Sequence, residues 1–160
     1  MLRVRALAIG GALAATALLV PGSAGAAGPA HAHDAAADRE TTLQFRVEFS
    51  PFHLTDIGPR GLTAEDLIDF HDDLFRHGRK VGDEVGSCVV VEASGLSNCT
   101  GVVRLGGDTI TYAFVNAPPP VKVLAITGGS GRFRTAHGDG RLVENGDAAN
   151  TGTLTLRLVR

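Results

Sequence analysis

The residues able to do chemistry fall in a few places. Asp66, Asp69, Asp72 and Asp73 form an acidic cluster within "EDLIDFHDD". Grouped carboxylates can hold or move protons when desolvated, but on a strand face they are more simply read as a solvated surface. Six histidines raise the question of a metal. "HAHD" at His31–Asp34 has a copper- or zinc-like look, yet its surroundings offer nothing large to bury, and His53, His71, His77 and His137 have no ligand spacing. The reading is therefore no metal site. Glycines at 128, 129 and 131 in "AITGGSGRFRTAHG" suggest a phosphate cradle. A P-loop needs Lys and Ser or Thr after its last glycine and then a helix. Here Arg132 and Phe133 follow, and no helical stripe comes after them. A dinucleotide fingerprint fails for the same reason. The segment reads as a tight turn between strands, and no cofactor is called for. No Ser-His-Asp order or nucleophile elbow supports a hydrolase.

The elements that must position these groups are short. The chain has 160 residues with 21 glycines and no tryptophan, which predicts one domain with many turns. Arg3 and Arg5 precede an apolar run, Ala6 to Val20, then Pro21 and an A-x-A site at Ala24–Ala26. Residues 1–26 thus read as a secretory signal peptide, too short in its apolar part for the ~20 residues of a membrane span. Residues 27–40 read as a flexible leader and 41–160 as the folded domain. Without Arg3 and Arg5 the chain keeps 13 basic against 17 acidic residues. No basic block is present, which argues against nucleic acid. Export would permit disulfides. Cys88 and Cys99 flank a predicted hairpin and are read as bridged.

"TTLQFRVEFS" alternates, with Leu43, Phe45, Val47 and Phe49 on one face and Gln44, Arg46 and Glu48 on the other. "SCVVVEAS", "TGVVRLGG", "DTITYAFVN", "VKVLAIT", "GRLVE" and "TGTLTLRLV" supply six more strands, a series that suggests a sandwich or barrel. One stretch conflicts. In "TAEDLIDFHDDLFRHG", Thr63 and Asp66 resemble a capping box, and Leu67, Phe70, His71 and Leu74 share a helical stripe. Local pattern alone predicts a helix there.

"AITGGSGRF" followed by "AHGDGRL" resembles the allene oxide cyclase and dirigent-like superfamily. "DIG" at Asp56–Gly58 and the block "AEDLIDFHDDLFRHGRKVGDEVGSCVVVE" extend the resemblance over most of residues 45–145. Two departures stand out: Glu65 occupies the place of a usual glycine, and "ENGDAANTG" is unusually polar. The resemblance implies an all-β, eight-stranded antiparallel β-barrel, often a homotrimer, whose apolar interior holds a small lipophilic molecule. It replaces the helix over "DLIDF" with a strand.

The resemblance also implies site residues. "VEFS" places Glu48 where the cyclases have a cavity glutamate, with Ser50 in the place of an asparagine. Pro59 stands where the family has a Ser-Pro pair, without the serine. Cys88 falls at a position that can line the cavity. The walls would come from Val89, Val91, Ile110, Tyr112 and Phe114, or from the residues of opposite parity. Pattern alone keeps Glu48 on the solvent face with Gln44 and Arg46. Acidic residues at the barrel mouth of dirigent-like proteins can act on a reactive intermediate, which gives the 66–73 cluster a second reading. Two functions follow as expectations: a secreted cyclase or stereochemical guide, and a non-catalytic extracellular carrier.

Overall fold

The computed structural model describes residues 40–117 and 120–159. The segments read from the sequence as a signal peptide and, apart from Glu40, as a leader lie outside the described residues, as does "HAHD".

The described chain is built of strands: β1 (Glu40–Glu48), β2 (His53–Thr55), β3 (Leu67–Arg76), β4 (Arg79–Val90), β5 (Ser97–Leu105), β6 (Asp108–Asn116), β7 (Val121–Gly129), β8 (His137–Glu144) and β9 (Thr151–Val159). Antiparallel neighbours run β1-β9-β8-β7-β6-β5-β4-β3, and β1 also pairs with β3, so eight strands close into a barrel. Closure removes the free edges that would otherwise recruit other strands. The three-residue β2 adds to β3 at Leu67–Asp69, beyond the reach of β1, whose pairing with β3 covers Asp73–Phe75.

The stretch with the helical pattern is strand β3. Ile68, Phe70, Asp72 and Leu74 point inward opposite Cys88, Gly86, Glu84 and Gly82 of β4. Closure of the sheet outweighs the local 3.6-residue pattern, because omitting this strand would leave two edges unpaired.

One end of the barrel is packed solid. Val47, Leu74, Val103, Ile110, Leu124, Leu154, Leu156 and Leu158 are essentially inaccessible, and Phe45 and Ile126 join them. The glycine-rich segment closes this end. It turns β7 into a single 3-10 turn, Gly131–Phe133, which seats Phe133 in the core. Gly131 has φ 58°, and a Cβ there would lie 1.8 Å from Asp108 Oδ1, so both backbone and space require glycine. The segment is a turn, not a phosphate cradle.

Among the described residues, no helix is long and apolar enough to cross a membrane.

Candidate functional site

The other end of the barrel is hollow. A cavity of about 590 Å³ opens between the ends of β1, β4, β6 and β8 and the starts of β3, β7 and β9. That volume suits a small organic ligand. Phe49, Phe52, Phe70, Tyr112 and Phe114 line it, with Leu62, Ile68 and Leu142.

Glycine makes room for two of these rings. Gly86 and Gly101 are register partners on β4 and β5. A Cβ on Gly86 would sit 2.3 Å from Phe70 Cζ, and one on Gly101 would sit 2.3 Å from Tyr112 Cζ. Each ring therefore lies flat against bare backbone of the neighbouring strand. Tyr112 crosses Gly101 and reaches β4, where its Oη donates to Glu84 Oε2 at 2.8 Å.

Glu84 is the central acid of the cavity. Only 1% of it is exposed. Burial pushes its carboxyl up to about 7, against the Tyr112 hydrogen bond, which favours the ionised form; the nearby Asp72 pushes it further up. Asp72 is its register partner across β3 and β4. Asp72 is also raised, mainly by burial, although the Ser50 N–H donates to its Oδ1 at 2.8 Å and pulls the other way. Burial and the neighbouring acids raise Tyr112 as well, so its phenol stays protonated. The result is a desolvated acid pair on an apolar wall, poised to lose or gain one proton near neutrality.

Lys122 stands at the mouth, on β7, and is buried. Its Nζ donates to Ala117 O at 2.9 Å and lies 3.6 Å from Glu144 Oε1. Asp66 shapes the rim. Its carboxylate accepts from Ile57 N at 2.8 Å and Thr63 N at 2.7 Å, and these bonds hold it below the usual carboxylate range. They fix the loop that brings Leu62 to the cavity.

The structure reassigns the acid expected at Glu48. Glu48 is paired with Arg46 on the outer face, nearly half of its side chain is exposed, and it does not line the cavity. The inward residues of β1 are Phe45, Val47 and the following Phe49, as simple alternation requires. Ser50 does line the cavity, and its backbone holds Asp72. Pro59 lies exposed in the rim loop, away from the cavity wall. Of the expected walls, Cys88, Tyr112 and Phe114 line the cavity. Ile110 faces inward but belongs to the packed core. Val89 and Val91 are 47% and 46% exposed; the inward neighbour is Val90. Cys88 and Cys99 are directly opposed on β4 and β5 and form a disulfide, so Cys88 combines both of its readings.

Of the acidic cluster, Asp72 belongs to the cavity, Asp66 to the rim, and Asp73 pairs with Lys80 at 2.7 Å. Sequence reasoning missed Glu84. Its inward neighbours are Gly82 and Gly86, so no apolar alternation marks the face on which it lies, and the strand read from the sequence began only at Ser87. The usable signal was an acid flanked by glycines at i ± 2 on a strand, where large side chains from elsewhere must fill the space. Among the described residues, no group of three or more His, Cys, Asp or Glu side chains is placed to hold a metal.

Comparison of folds agrees with this geometry. A pyocyanin demethylase superposes with a TM-score of 0.62 at 21% identity, covering 71% of this chain and 98% of that one. A pterocarpan synthase dirigent protein gives a TM-score of 0.56 at 17% identity, over 76% of this chain and 84% of that one. The fold is that of the dirigent-like barrels. The Diels-Alderase AbmU from Streptomyces koyangensis shares it, with a TM-score of 0.60 at 12% identity over 79% of this chain and 70% of that one. No family model matches the chain, and a sequence search of curated proteins finds no match. At these identities the likeness establishes the dirigent-like barrel and nothing of its chemistry.

Proposed function

We propose that the chain is an exported dirigent-like barrel that takes a lipophilic small molecule into its cavity and promotes an isomerisation or cyclisation by proton transfer from Glu84. One observation carries this reading: a carboxyl with a pKa of about 7, desolvated, on the wall of an apolar cavity of about 590 Å³. A general acid works best with a pKa near the working pH. Glu84 delivers its proton to a basic atom of a conjugated substrate. The positive charge spreads over the conjugated system, the new bond or double bond forms, and the Glu84 carboxylate takes back a proton from a neighbouring carbon. No atom is gained or lost. Asp72 keeps the Glu84 proton in place before reaction, Tyr112 steadies the carboxylate after transfer, and the aromatic walls hold one conformer and exclude water. Neighbours of the same fold named as a pterocarpan synthase dirigent protein and a Diels-Alderase support guided ring formation. The apolar run at residues 6–20 and the Cys88–Cys99 bridge support export. Exposed Val89, Val115 and Val123 support assembly into a homotrimer.

The test uses the purified protein and its Glu84→Gln variant with a lipophilic extract of the producing culture, read by liquid chromatography and mass spectrometry. The wild type should convert one component into an isomer of equal mass, and the variant should not. Equal conversion by both removes Glu84 from the mechanism. A retained molecule in native mass spectra without any conversion makes the protein a carrier.

A further inference from the structure

The charges of the cavity are segregated along its length. Asp72 and Glu84 stand opposite each other at its deep end. Among the described residues that line it, the basic side chain is Lys122. Tyr112 pairs with Ile126, and Lys122 lies four residues nearer the mouth on the same strand, roughly 13 Å at ~3.3 Å per residue. Lys122 is also already engaged with Glu144 and Ala117 O. The acid pair therefore has hydrogen-bond donors beside it, from Tyr112 and the Ser50 backbone, but no cation within the cavity at its own depth.

What surrounds the pair is aromatic. Five of the eight aromatic residues in the chain line this one cavity. Tyr112 and Phe114 lie with centroids 5.9 Å apart and planes tilted by 36°, and the Phe70 and Tyr112 rings rest on glycine rather than on side chains. Ring faces attract flat π-systems and cations alike, and most strongly a species that is both. Two buried carboxyls on register-paired residues complete the complement of a delocalised cation.

Resting on the proton-donor reading above, we propose that the deep end of the cavity binds a flat nitrogen heteroaromatic as its cation, between the Asp72–Glu84 pair and the Phe70 and Tyr112 rings. A neutral basic ring nitrogen enters and takes the proton of Glu84. The Glu84 O–H bond breaks, the N–H bond forms, and the resulting carboxylate and cation remain as a buried ion pair. A ligand that is already a permanent cation gains the same pairing by displacing that proton to solvent.

The experiment uses three tricyclic probes of similar shape with the purified protein at pH 7, where Glu84 still carries its proton in about half of the molecules and free acridine is neutral: acridine, N-methylacridinium and anthracene-9-carboxylate, with anthracene-9-methanol as the neutral reference. Binding of acridine should switch its fluorescence from the neutral form to the acridinium form. N-methylacridinium should bind roughly tenfold more tightly than anthracene-9-methanol, and the carboxylate more weakly than either. In Asp72→Asn/Glu84→Gln, anthracene-9-methanol should bind as before, the cation preference should fall to about twofold or less, and the acridinium signal should vanish. Unchanged binding of the neutral probe shows that the variant retains its cavity; the single variant Asp72→Asn serves if the double variant does not fold. Tight binding of anthracene-9-methanol without acridinium emission and without a cation preference overturns this inference but leaves the lipophilic cavity intact. Failure of all four probes to bind overturns both.

Discussion

Tyr112 lies on Gly101 and its hydroxyl donates a hydrogen bond to Glu84 Oε2 at 2.8 Å, so one side chain spans β6 to β4 across a strand that has no side chain in its way at that position. The bond favours the ionised carboxyl, while burial favours the neutral one and prevails. Removal of the hydroxyl in Tyr112→Phe leaves burial unopposed. The titration midpoint of Glu84 should then rise above 7 by about one pH unit. Infrared difference spectra of the protonated carboxyl band against pH will read it directly. A midpoint that stays at 7 or falls would show that Tyr112 does not govern the acid.

The same carboxyl makes stability depend on pH. Below pH 4.5 Glu84 is protonated in the folded and unfolded chains alike and contributes nothing. Between 4.5 and about 7 the unfolded chain sheds the proton while the folded chain keeps it, so stability falls as pH rises. Above 7 the loss levels off at about 3 kcal/mol. Asp72, also raised, acts with the same sign. Glu84→Gln should therefore be more stable than the wild type at pH 8 and closer to it at pH 4.5, by urea denaturation at both values. An equal difference at the two pH values would contradict a buried titrating acid.

Gly101→Ala tests the packing that positions the ring. The added Cβ would lie 2.3 Å from both Cζ and Oη of Tyr112. The flanking β4 and β6 ladders hold the backbone, so the ring must leave its seat. The expected cost is about 1–3 kcal/mol, with the Glu84 hydrogen bond lost. Anthracene-9-methanol uptake should drop and the Glu84 midpoint should move as in Tyr112→Phe. A variant with wild-type stability and titration would mean that the glycine is not needed for the seat.

These relationships explain which parts of the molecule were legible. Alternation in "TTLQFRVEFS" and "TGTLTLRLV" fixes strand parity without ambiguity, because every second residue is large and apolar. Strand β3 carries a competing helical period, and only barrel closure decides for it. The cavity acids were harder. Asp72 interrupts an apolar face and so looked like surface; Glu84 sits between Gly82 and Gly86, over which Leu105 and Phe70 from other strands pack. Such long-range filling leaves no mark in the neighbouring residues. Glu48 had the opposite fault: its resemblance to a family glutamate was local, whereas its inward or outward direction follows from the parity of β1, which its own neighbours had already set.

The Cys88–Cys99 bridge closes a loop of 11 residues and also forms part of the cavity wall. Loop closure of that size stabilises by about 3 kcal/mol in the chain-entropy account. Cys88→Ala/Cys99→Ala should lower the urea midpoint accordingly. It should leave the Glu84 midpoint near 7, since the partners of that carboxyl are Tyr112 and Asp72 and neither cysteine is charged or hydrogen-bonded to it. A changed midpoint would tie the bridge to the acid; an unchanged urea midpoint would mean that the β4–β5 ladder alone holds the hairpin.

The outer face supplies the last prediction. Val89, Val115 and Val123 are 47%, 54% and 73% exposed. With Ala113 and Ala125 they surround a shallow apolar depression over strands β4 to β7. Elsewhere the outside carries paired charges, Asp83 with Arg104 and Asp139 with Arg157. The contrast matters, because a monomeric barrel has no reason to spare one sector from the charges that keep the rest soluble. If this sector is the seam of a homotrimer, Val123→Arg places an unpaired charge where a partner would exclude water, and the assembly should dissociate. Native mass spectrometry should record a trimer for the wild type and a monomer for the variant. The cavity opens at the barrel end and the substituted side chain points outward, so anthracene-9-methanol should still enter the monomer. A wild type that is monomeric at micromolar concentration removes the seam, and a variant that remains trimeric moves it to another face.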